Sequence, residues 1–353
     1  MEKIITIIVP SYNMEKLLEK DLSSLIVSNR LLPCIEIIVV NDGSSDNTLE
    51  IARLFEKKFP DTFITIDKQN GNYGSCVNAG LKVAKGIFVK ILDADDYFIT
   101  SNFERMIDDL LFSEKRDEKI DLFFFDWRYV DEKDEVSKRL SFKIPANRPI
   151  EIRSIGDIEY FREIQHHAIA YRTDLLRSNK YIQTEGVSYT DVEWAYKPLL
   201  YIKRIKYCPI EVYSYLYGRA DQSMSPAQMK KGFKSMMVVE SSMLKTYLDS
   251  KCNVSSVNKQ LFKTKFISSL DYFYKNYLLF YPNNETIESI KAFDTTLKYE
   301  CMEIYQELNS LTVSAFKFKY VKAFRKNANG FYFKSIVNYF KARRFIKKCL
   351  RRK

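Results

Sequence analysis

Three aspartates, Asp93, Asp95 and Asp96, follow a segment at residues 87–92 that is apolar except for Lys90. Carboxylates two residues apart at the end of a strand can point into the same crevice. Hard divalent cations such as Mg²⁺ and Mn²⁺ prefer oxygen ligands and keep open coordination positions for phosphate oxygens. An ordinary acidic turn has the same composition. The segment therefore indicates either a cation site or a surface turn, and the neighbouring motifs must decide between them.

Two earlier apolar runs, residues 4–9 and 35–40, also end in polar residues. With a shorter run at 62–66 and the run at 87–92, they alternate with helical segments, which predicts an α/β sheet with right-handed crossovers. Ligands of such sheets bind beyond the carboxyl ends of the strands. We therefore expect three strand ends to bring polar side chains to one edge. Besides the aspartates, these side chains are Ser11, Asn13, Asn41 and Asp42.

The cysteines and the apolar segments indicate the compartment. The six cysteines are widely spaced and form no C-x-x-C pair, which favours reduced thiols over a zinc site or a disulfide framework. No signal peptide precedes the first strand, and no stretch reaches the ~20 apolar residues that a membrane span needs. These observations predict a cytoplasmic protein.

The positive charge is concentrated at the end of the chain. The net charge is +11, yet no acidic residue follows Glu307, and residues 317–353 contain fourteen Lys and Arg, which leaves −3 for the remainder. A helix over residues 331–353 would carry one apolar face among basic residues, as do helices that lie on anionic membranes. We expect it to hold the protein at the inner face of the cell membrane. A basic helix packed on its own domain is the alternative. The apolar face comprises Phe333, Ile336, Val337 and Phe340.

Three segments carry a family resemblance: IIVPSYN at residues 7–13, VVNDGSSD at 39–46 and LDADD at 92–96. Together with the linking stretch at residues 70–86, they resemble glycosyltransferase family 2 of the nucleotide-diphospho-sugar transferase superfamily. The resemblance implies an α/β fold of the GT-A type. This fold is a Rossmann-like, mostly parallel sheet flanked by helices, followed here by a smaller, mainly helical C-terminal region.

The resemblance also implies how the donor is bound. Asp42 would accept the imide hydrogen of uracil, Asp95 would bind Mn²⁺ or Mg²⁺ directly, and Asp93 would lie near the ribose and the metal. A bound metal would neutralise the charge that grows on a diphosphate leaving group. Asn13 and Asn78 have a structural alternative as caps. The other donor-binding positions are Pro10, Ser11, Tyr12, Asn72, Gly74 and Ala94.

The segment YTDVEW at residues 189–194 resembles the acidic motif in which an aspartate of this family deprotonates the acceptor hydroxyl. Thr190 replaces a glutamate that the family often has there. Asp191 would be the catalytic base of an in-line displacement that inverts the anomeric carbon, and Glu193 is the fallback base. An aspartate at the solvated start of a helix is the alternative.

Further polar residues on the acceptor side have less specific roles. The stretch from residue 215 to 225 also looks like a subgroup of the family. Arg219 would pair with the diphosphate, because a guanidinium matches phosphate oxygens, and Gln222 would hydrogen-bond near the donor; a structural loop over the site is the alternative. Adjacent residues cannot both face one metal from a helix, so we expect His166 and His167 to serve a polar role near the acceptor cleft rather than a metal.

After Ser225 the mixed pattern gives way to helical segments rich in Lys, Tyr and Phe, which predicts a division of the chain near residue 225. Residues 1–225 would form the GT-A domain, with 1–100 as the nucleotide-sugar-binding half and 101–225 as the acceptor-side half. Residues 226–353 would form a helical region that ends in the basic amphipathic tail.

The implied activity is inverting, divalent-metal-dependent transfer of a single sugar, as a hexosyl- or N-acetylhexosaminyltransferase. The donor would be a nucleotide-sugar, with a UDP-sugar favoured. The acceptor would be a glycan or lipid-linked molecule in the synthesis of surface polysaccharide or glycoconjugates. The chain lacks the Q-x-x-R-W motif of processive family members. A non-catalytic module that binds sugar-nucleotides or nucleic acid is the alternative, although no RNA-recognition motif accompanies the basic tail and no nucleic-acid partner is expected.

Overall fold

The computed structural model describes residues 2–154, 161, 164–219, 222–223, 225–250, 254–313 and 317–350, with residues 344–350 described by their backbone alone. The chain divides into two compact units. The first unit comprises Met1–Gln228 and Val254–Leu261, and the second comprises Met229–Asn253 and Phe262–Lys353. The first unit thus includes a short segment from beyond residue 225.

The first unit is built on a single mixed sheet, in which ten strands can be assigned over the described residues. The strands are β1 (Ile5–Ser11), β2 (Ile35–Asn41), β3 (Phe63–Asp67), β4 (Phe88–Ile91), β5 (Tyr97–Phe98), β6 (Leu122–Val130), β7 (Val136–Leu140), β8 (Pro149–Glu151), β9 (Ile169–Arg172) and β10 (Arg204–Leu216). Their order is β3-β2-β1-β4-β9-β6-β10-β5, with β7 paired to β6 and β8 paired to β10.

The half of the sheet formed by β1 to β4 is parallel. Every residue of β2 and β4 is buried, and β1 is buried except at Pro10, which is partly exposed. The continuous apolar runs of the sequence are therefore strands covered on both faces, as expected for a parallel sheet. The predicted α/β fold is confirmed, and its parallel pairing lies chiefly in this half.

The other half of the sheet is mostly antiparallel. Strand β9 pairs antiparallel with both β4 and β6, and so joins the two halves. Strands β6 and β10 run parallel to each other, and a register shift interrupts this pairing between Cys208 and Tyr213. The aromatic side chains of β6 and β10 fill much of this half of the core.

Helices connect the strands of the first unit and make up most of the second. Their bounds are α1 (Leu18–Ser24), α2 (Thr48–Lys58), α3 (Asn72–Val83), α4 (Thr100–Lys115), α5 (Thr173–Ser178), α6 (Asp191–Tyr196), α7 (Pro226–Lys231), α8 (Phe233–Asp249), α9 (Ser256–Tyr274), α10 (Asn284–Glu300), α11 (Met302–Leu308), α12 (Tyr320–Lys326) and α13 (Phe331–Leu350). A π-helix, Lys275–Phe280, continues α9. No helix within the described residues combines the length and the apolar composition needed to cross a bilayer.

The apolar face predicted for the tail is buried inside the second unit, which agrees with the alternative of a basic helix packed on its own domain. Phe333 packs on Phe324 with ring centroids 5.7 Å apart, and Phe340 packs on Phe280 at 5.8 Å. Burying these rings in protein removes as much apolar surface from water as lipid would. The helix is thus packed on its own unit, and membrane binding stays a prediction that rests on charge alone. The four buried side chains are Phe333, Ile336, Val337 and Phe340.

Candidate functional site

The carboxyl ends of β1, β2 and β4 lie side by side at one edge of the sheet. The parallel register pairs Ser11 with Asn41, and the backbone N–H of Asp42 donates to the carbonyl of Ser11 at 2.9 Å. On the other side of β1, Ile8 pairs with Ile91, two residues before Asp93. The loops that follow these three strands therefore meet, as the alternation of apolar runs and polar ends predicted.

Asp93 is held by donors on both carboxylate oxygens. The hydroxyl of Tyr73 donates to Oδ1 at 2.8 Å, and Nε2 of His166 lies 3.0 Å from Oδ2. Burial alone would raise the pKa of Asp93, but the charge and hydrogen bond of His166, with the bond from Tyr73, lower it below its usual range.

Asp95 and Asp96 have different surroundings. Arg219 donates to Oδ2 of Asp95 at 2.5 Å, and the Asp95 side chain keeps 21% of its surface exposed. Asp96 is buried and accepts from the Tyr213 hydroxyl at 2.6 Å and from the Leu216 backbone at 2.7 Å. Burial, with Asp95 and Asp93 adding to it, raises the pKa of Asp96 well above its usual value. Asp96 thus fixes the end of β10, while Asp95 faces the open edge.

These carboxylates fit a hard divalent cation. One oxygen from each of Asp93, Asp95 and Asp96 lies within 4.8 Å of the others. Burial and then the charge of Asp93 raise the pKa of Asp95, as expected where carboxylates crowd together without a cation. Arg219 supplies one positive charge at this point. A cation would be held by Asp95, with Asp93 beside it, in place of the contact with Arg219.

Asp42, predicted to bind the base, is buried, and one of its carboxylate oxygens accepts hydrogen bonds from the protein. Its Oδ1 accepts from Lys68 Nζ at 2.5 Å and from the Gly71 backbone at 2.9 Å. Lys68 also donates to the hydroxyl of Ser75 at 2.8 Å. The loop before α3 is thereby tied to the loop after β2, and this contact from Lys68 is one that the sequence analysis missed.

The residues after β1 join this strand to the loop after β2. Asn13 has a positive φ of 54°, its side-chain Oδ1 accepts from the Ser45 backbone at 2.9 Å, and its own N–H donates to the Ser44 hydroxyl at 3.0 Å. Asn13 therefore acts as a cap between the loops. Tyr12 is half exposed beside it, and Ser11 is buried.

Residues of helix α3 that were predicted to bind the donor also pack against another segment of the protein. A Cβ added at Gly74 would lie 2.0 Å from the Thr184 carbonyl oxygen, so only glycine allows this approach. The side chain of Asn78 donates to the Gln183 carbonyl at 2.9 Å and accepts from the Gln183 backbone at 2.9 Å. Both residues thus clamp the segment after α5 onto α3. Asn72 begins the helix with φ 65°, and Ala94 lies buried between Asp93 and Asp95. Donor contacts of all four residues stay predictions.

Asp191, the predicted base, lies at the start of α6 with 42% of its side chain exposed. Its Oδ2 is 3.7 Å from Nδ1 of His166, whose Nε2 contacts Asp93. Removal from water raises the pKa of Asp191; His166 opposes this effect and Asp93 adds to it. Burial would lower the pKa of His166, but Asp93, with Asp191, outweighs it and raises that pKa. His166 thus connects the two carboxylates.

Glu193 cannot be the fallback base in this arrangement, because it is fully buried and its carboxylate is saturated. It accepts from the Thr184 backbone at 2.7 Å and from the Thr184 hydroxyl at 2.8 Å, and Lys197 lies 2.8 Å away. This corrects the sequence-based alternative: Glu193 is a structural residue that fixes the same segment that Asn78 holds.

Gln222 closes its own loop. Its side chain accepts from the Gly218 backbone at 2.9 Å and donates to the Leu216 carbonyl. These bonds hold Gln222 against residues that follow the end of β10. The predicted contact of Gln222 with the donor stays a prediction, as does its alternative, a structural loop over the site.

The site therefore unites Asp93, Asp95, Asp191 and Arg219, with Asp42 at the next strand end. Sequence reasoning missed two contributors, Tyr73 and Lys68, whose contacts with the aspartates depend on folding. Tyr73 lies in the stretch that carried the family resemblance, which is the signal that could have found it.

The chain is similar in sequence to known glycosyltransferases. The family model described as glycosyl transferase family 2 matches residues 6–162. An uncharacterized glycosyltransferase of Mycoplasma pneumoniae is 35% identical over 105 residues, which cover 29% of this chain and 35% of that protein. The poly(ribitol-phosphate) beta-N-acetylglucosaminyltransferase TarS of Staphylococcus aureus is 28% identical over 223 residues, 63% of this chain and 37% of TarS. The chain thus spans about a third of the length of the curated relatives it matches.

The crystal structure of residues 1–349 of TarS in complex with UDP-GlcNAc has a TM-score of 0.68 to this chain at 18% identity. The match covers 96% of this chain and 92% of that structure. At this identity the likeness shows the fold, which is GT-A. The motifs at the strand ends lie within residues 6–162, and this part of the chain is identified as glycosyltransferase family 2.

Proposed function

We propose that the protein is an inverting, divalent-metal-dependent glycosyltransferase that moves one sugar from a UDP-sugar to a glycan or lipid-linked acceptor. The observation that carries this proposal is the meeting of Asp95, Asp93 and Asp191 at one edge of the sheet. Carboxylates that could hold a cation, and a partly exposed base candidate connected to them through His166, are groups that an in-line displacement at a sugar carbon needs.

Each residue has a defined task in this reaction. Asp42 would accept the imide N–H of the base. Asp191 would take the proton from the acceptor hydroxyl as its oxygen attacks the anomeric carbon, and the bond from that carbon to the diphosphate breaks on the opposite face. Arg219 would turn from Asp95 to the diphosphate, since its guanidinium matches phosphate oxygens. A bound Mn²⁺ or Mg²⁺ would neutralise the charge that develops on the leaving group.

The named relatives suggest the first substrates to test. TarS is crystallised with UDP-GlcNAc, and another relative, GgaB of Bacillus subtilis, is named a minor teichoic acid biosynthesis protein. We therefore propose N-acetylhexosaminyl or hexosyl transfer in the synthesis of a surface polymer or glycoconjugate. UDP-N-acetylglucosamine is the first donor to try.

The decisive experiment offers a panel of labelled UDP-sugars and glycan or lipid-linked acceptors to the protein, with Mn²⁺ or with a chelator. We expect selective stabilisation by one donor in a thermal-shift assay, because a ligand that binds the native state raises its apparent stability. We also expect metal-dependent turnover. No binding and no turnover with any donor, or turnover that a chelator leaves unchanged, would contradict the proposal.

A further inference from the structure

His166 is placed between two carboxylates that come from distant parts of the sequence. It lies in a 3₁₀ turn, His166–Ala168, directly before β9, and only 8% of its side chain is exposed. Its Nε2 is 3.0 Å from Oδ2 of Asp93, and its Nδ1 is 3.7 Å from Oδ2 of Asp191. Each ring nitrogen thus faces its own aspartate.

The turn that contains His166 is held in place by buried contacts. The buried Lys90 in β4 donates to the carbonyls of His167 at 2.5 Å and of Ile169 at 3.2 Å. The ring of His167 is stacked on Trp127, with centroids 4.6 Å apart, and lies 3.8 Å from the ring of His166. These contacts set the position of the His166 ring, because moving it would break buried hydrogen bonds and aromatic packing.

Asp191 is held less firmly than the ring it faces. Its side chain is 42% exposed. Among the described residues, its ion-pair partner is His166. A separation of 3.7 Å is slightly longer than a hydrogen bond, and contacts between catalytic groups often tighten only when substrate binds. A buried ring held by its neighbours, beside a partly exposed carboxylate, is therefore an arrangement in which the ring can set the position of the carboxylate.

We propose that His166 is a positioning residue for sugar transfer: its Nδ1 holds the carboxylate of Asp191 in register with Asp93 and hence with the donor. The inference rests on the proposed function. A base misplaced by ~1 Å can lower the rate by about 100-fold. His166 would act through Asp191 and would not itself touch the substrate.

The competing explanation is that His166 only supports Asp93 and the donor site. The two ring nitrogens allow a test, since an asparagine amide reaches roughly the place of Nδ1 and a glutamine amide that of Nε2. His166→Asn keeps a polar group for Asp191, whereas His166→Gln keeps one for Asp93. His166→Ala removes both, and Lys82→Ala, an exposed change outside the site, is the control.

The experiment measures kcat, the KM for the donor, UDP affinity by calorimetry, and the melting temperature of each variant. We expect His166→Ala and His166→Gln to lose about 100-fold in kcat with little change in UDP affinity, and His166→Asn to recover much of the rate. The control should resemble the wild type. Rescue by Gln and not by Asn, or a loss confined to UDP affinity, would overturn the inference.

A second measurement does not depend on turnover. Crystal structures of the wild type and of His166→Ala should show the Asp191 carboxylate displaced or disordered in the variant alone. An unchanged Asp191 in His166→Ala would overturn the inference, whatever the activity. The wild-type protein could turn over no donor while Asp191 is displaced in His166→Ala. That pair of results would count against the proposed function and not against the role of His166.

Discussion

Asp191 and Glu193 lie two residues apart in one short helix, yet the protein places them in opposite environments. Asp191 is partly exposed and lies 3.7 Å from Nδ1 of His166. Glu193 is fully buried and bound to Thr184 and Lys197. A carboxylate without strong donors keeps its ability to accept a proton, whereas one that is saturated by donors loses it. Residue type and spacing alone do not separate these two roles.

The substitutions Asp191→Asn and Glu193→Gln should therefore have different effects. Asp191→Asn should abolish transfer while UDP binding and the melting temperature stay near wild type, because the amide cannot accept the proton. Glu193→Gln should lower the free energy of unfolding by about 1–3 kcal/mol, since its amide nitrogen would face a buried donor. Steady-state kinetics with chemical denaturation measures both. Equal activity of Asp191→Asn and wild type would contradict the assignment of the base.

The pH dependence of kcat/KM should also report Asp191. Only its ionised form accepts a proton, so the rate should fall as pH drops through its pKa. Since that pKa is raised above the ordinary value of 3.8, the acid limb should lie above pH 3.8. A pH–rate profile of the wild type measures it, and the residual rate of Asp191→Asn should lack the limb. An acid limb at or below 3.8 would count against this environment for Asp191.

At the scale of elements, the backbone of α3 packs directly against the backbone of the segment after α5. Gly74 has no room for a Cβ against Thr184. Asn78 holds Gln183 from one side of this segment, and Glu193 holds Thr184 from the other. The segment leads directly to α6 and thus places Asp191. Residues that match the donor motifs therefore also position the acceptor side of the site.

Gly74→Ala should accordingly destabilise the first unit. The added methyl group meets a backbone oxygen at 2.0 Å, which cannot be relieved by a side-chain rotation. Overpacking of this kind costs about 1–3 kcal/mol. Lys82→Ala, an exposed change in the same helix, is the control and should stay within about 0.5 kcal/mol of wild type. Denaturant unfolding of both variants provides the measurement, and equal stability would show that α3 and this segment can separate at little cost.

At the scale of the whole molecule, positive charge is concentrated in the last part of the chain. Residues 317–353 carry fourteen positive charges and no negative ones. The apolar face of α13 is used for packing inside the second unit, while Lys334, Lys341 and Arg343 are exposed. Any attraction to an anionic surface would then be electrostatic, without insertion of the buried face, and should be screened by salt.

The protein should therefore bind vesicles that contain anionic lipid at low ionic strength and dissociate as salt is added, since each basic residue near the surface contributes about 1 kcal/mol. Replacing Lys334, Lys341 and Arg343 by alanine should weaken binding. Replacing three exposed lysines of the first unit removes the same charge and should have a smaller effect; these are Lys57, Lys58 and Lys115. Co-sedimentation with vesicles measures it. Binding that resists salt, or equal loss in both variants, would contradict a tail-specific electrostatic contact.

Much of the donor half could be predicted from the sequence, because its determinants are local. The apolar runs that became β1, β2 and β4 specify strands buried on both faces, and their polar ends specify an edge where ligands bind. Parallel pairing of these strands then places Asp42 near Ser11, and Asp93 near both of these residues, so no long-range contact outside the strands is needed to predict it. The family resemblance added roles for these residues, and the match over residues 6–162 confirmed the family.

What the tertiary structure alone decided is which polar groups meet across the sequence. The insertion of β9 between β4 and β6 carries His166 to a place between Asp93 and Asp191, residues 73 and 25 positions away from it. Tertiary packing also buries Glu193 and saturates Asp96 in the first unit. Within the second unit, packing turns the apolar face of α13 inward. Sequence periodicity tells which side of an element is apolar, whereas the partner of that side, and the burial and charge of each carboxylate, arise only when distant segments exclude water together.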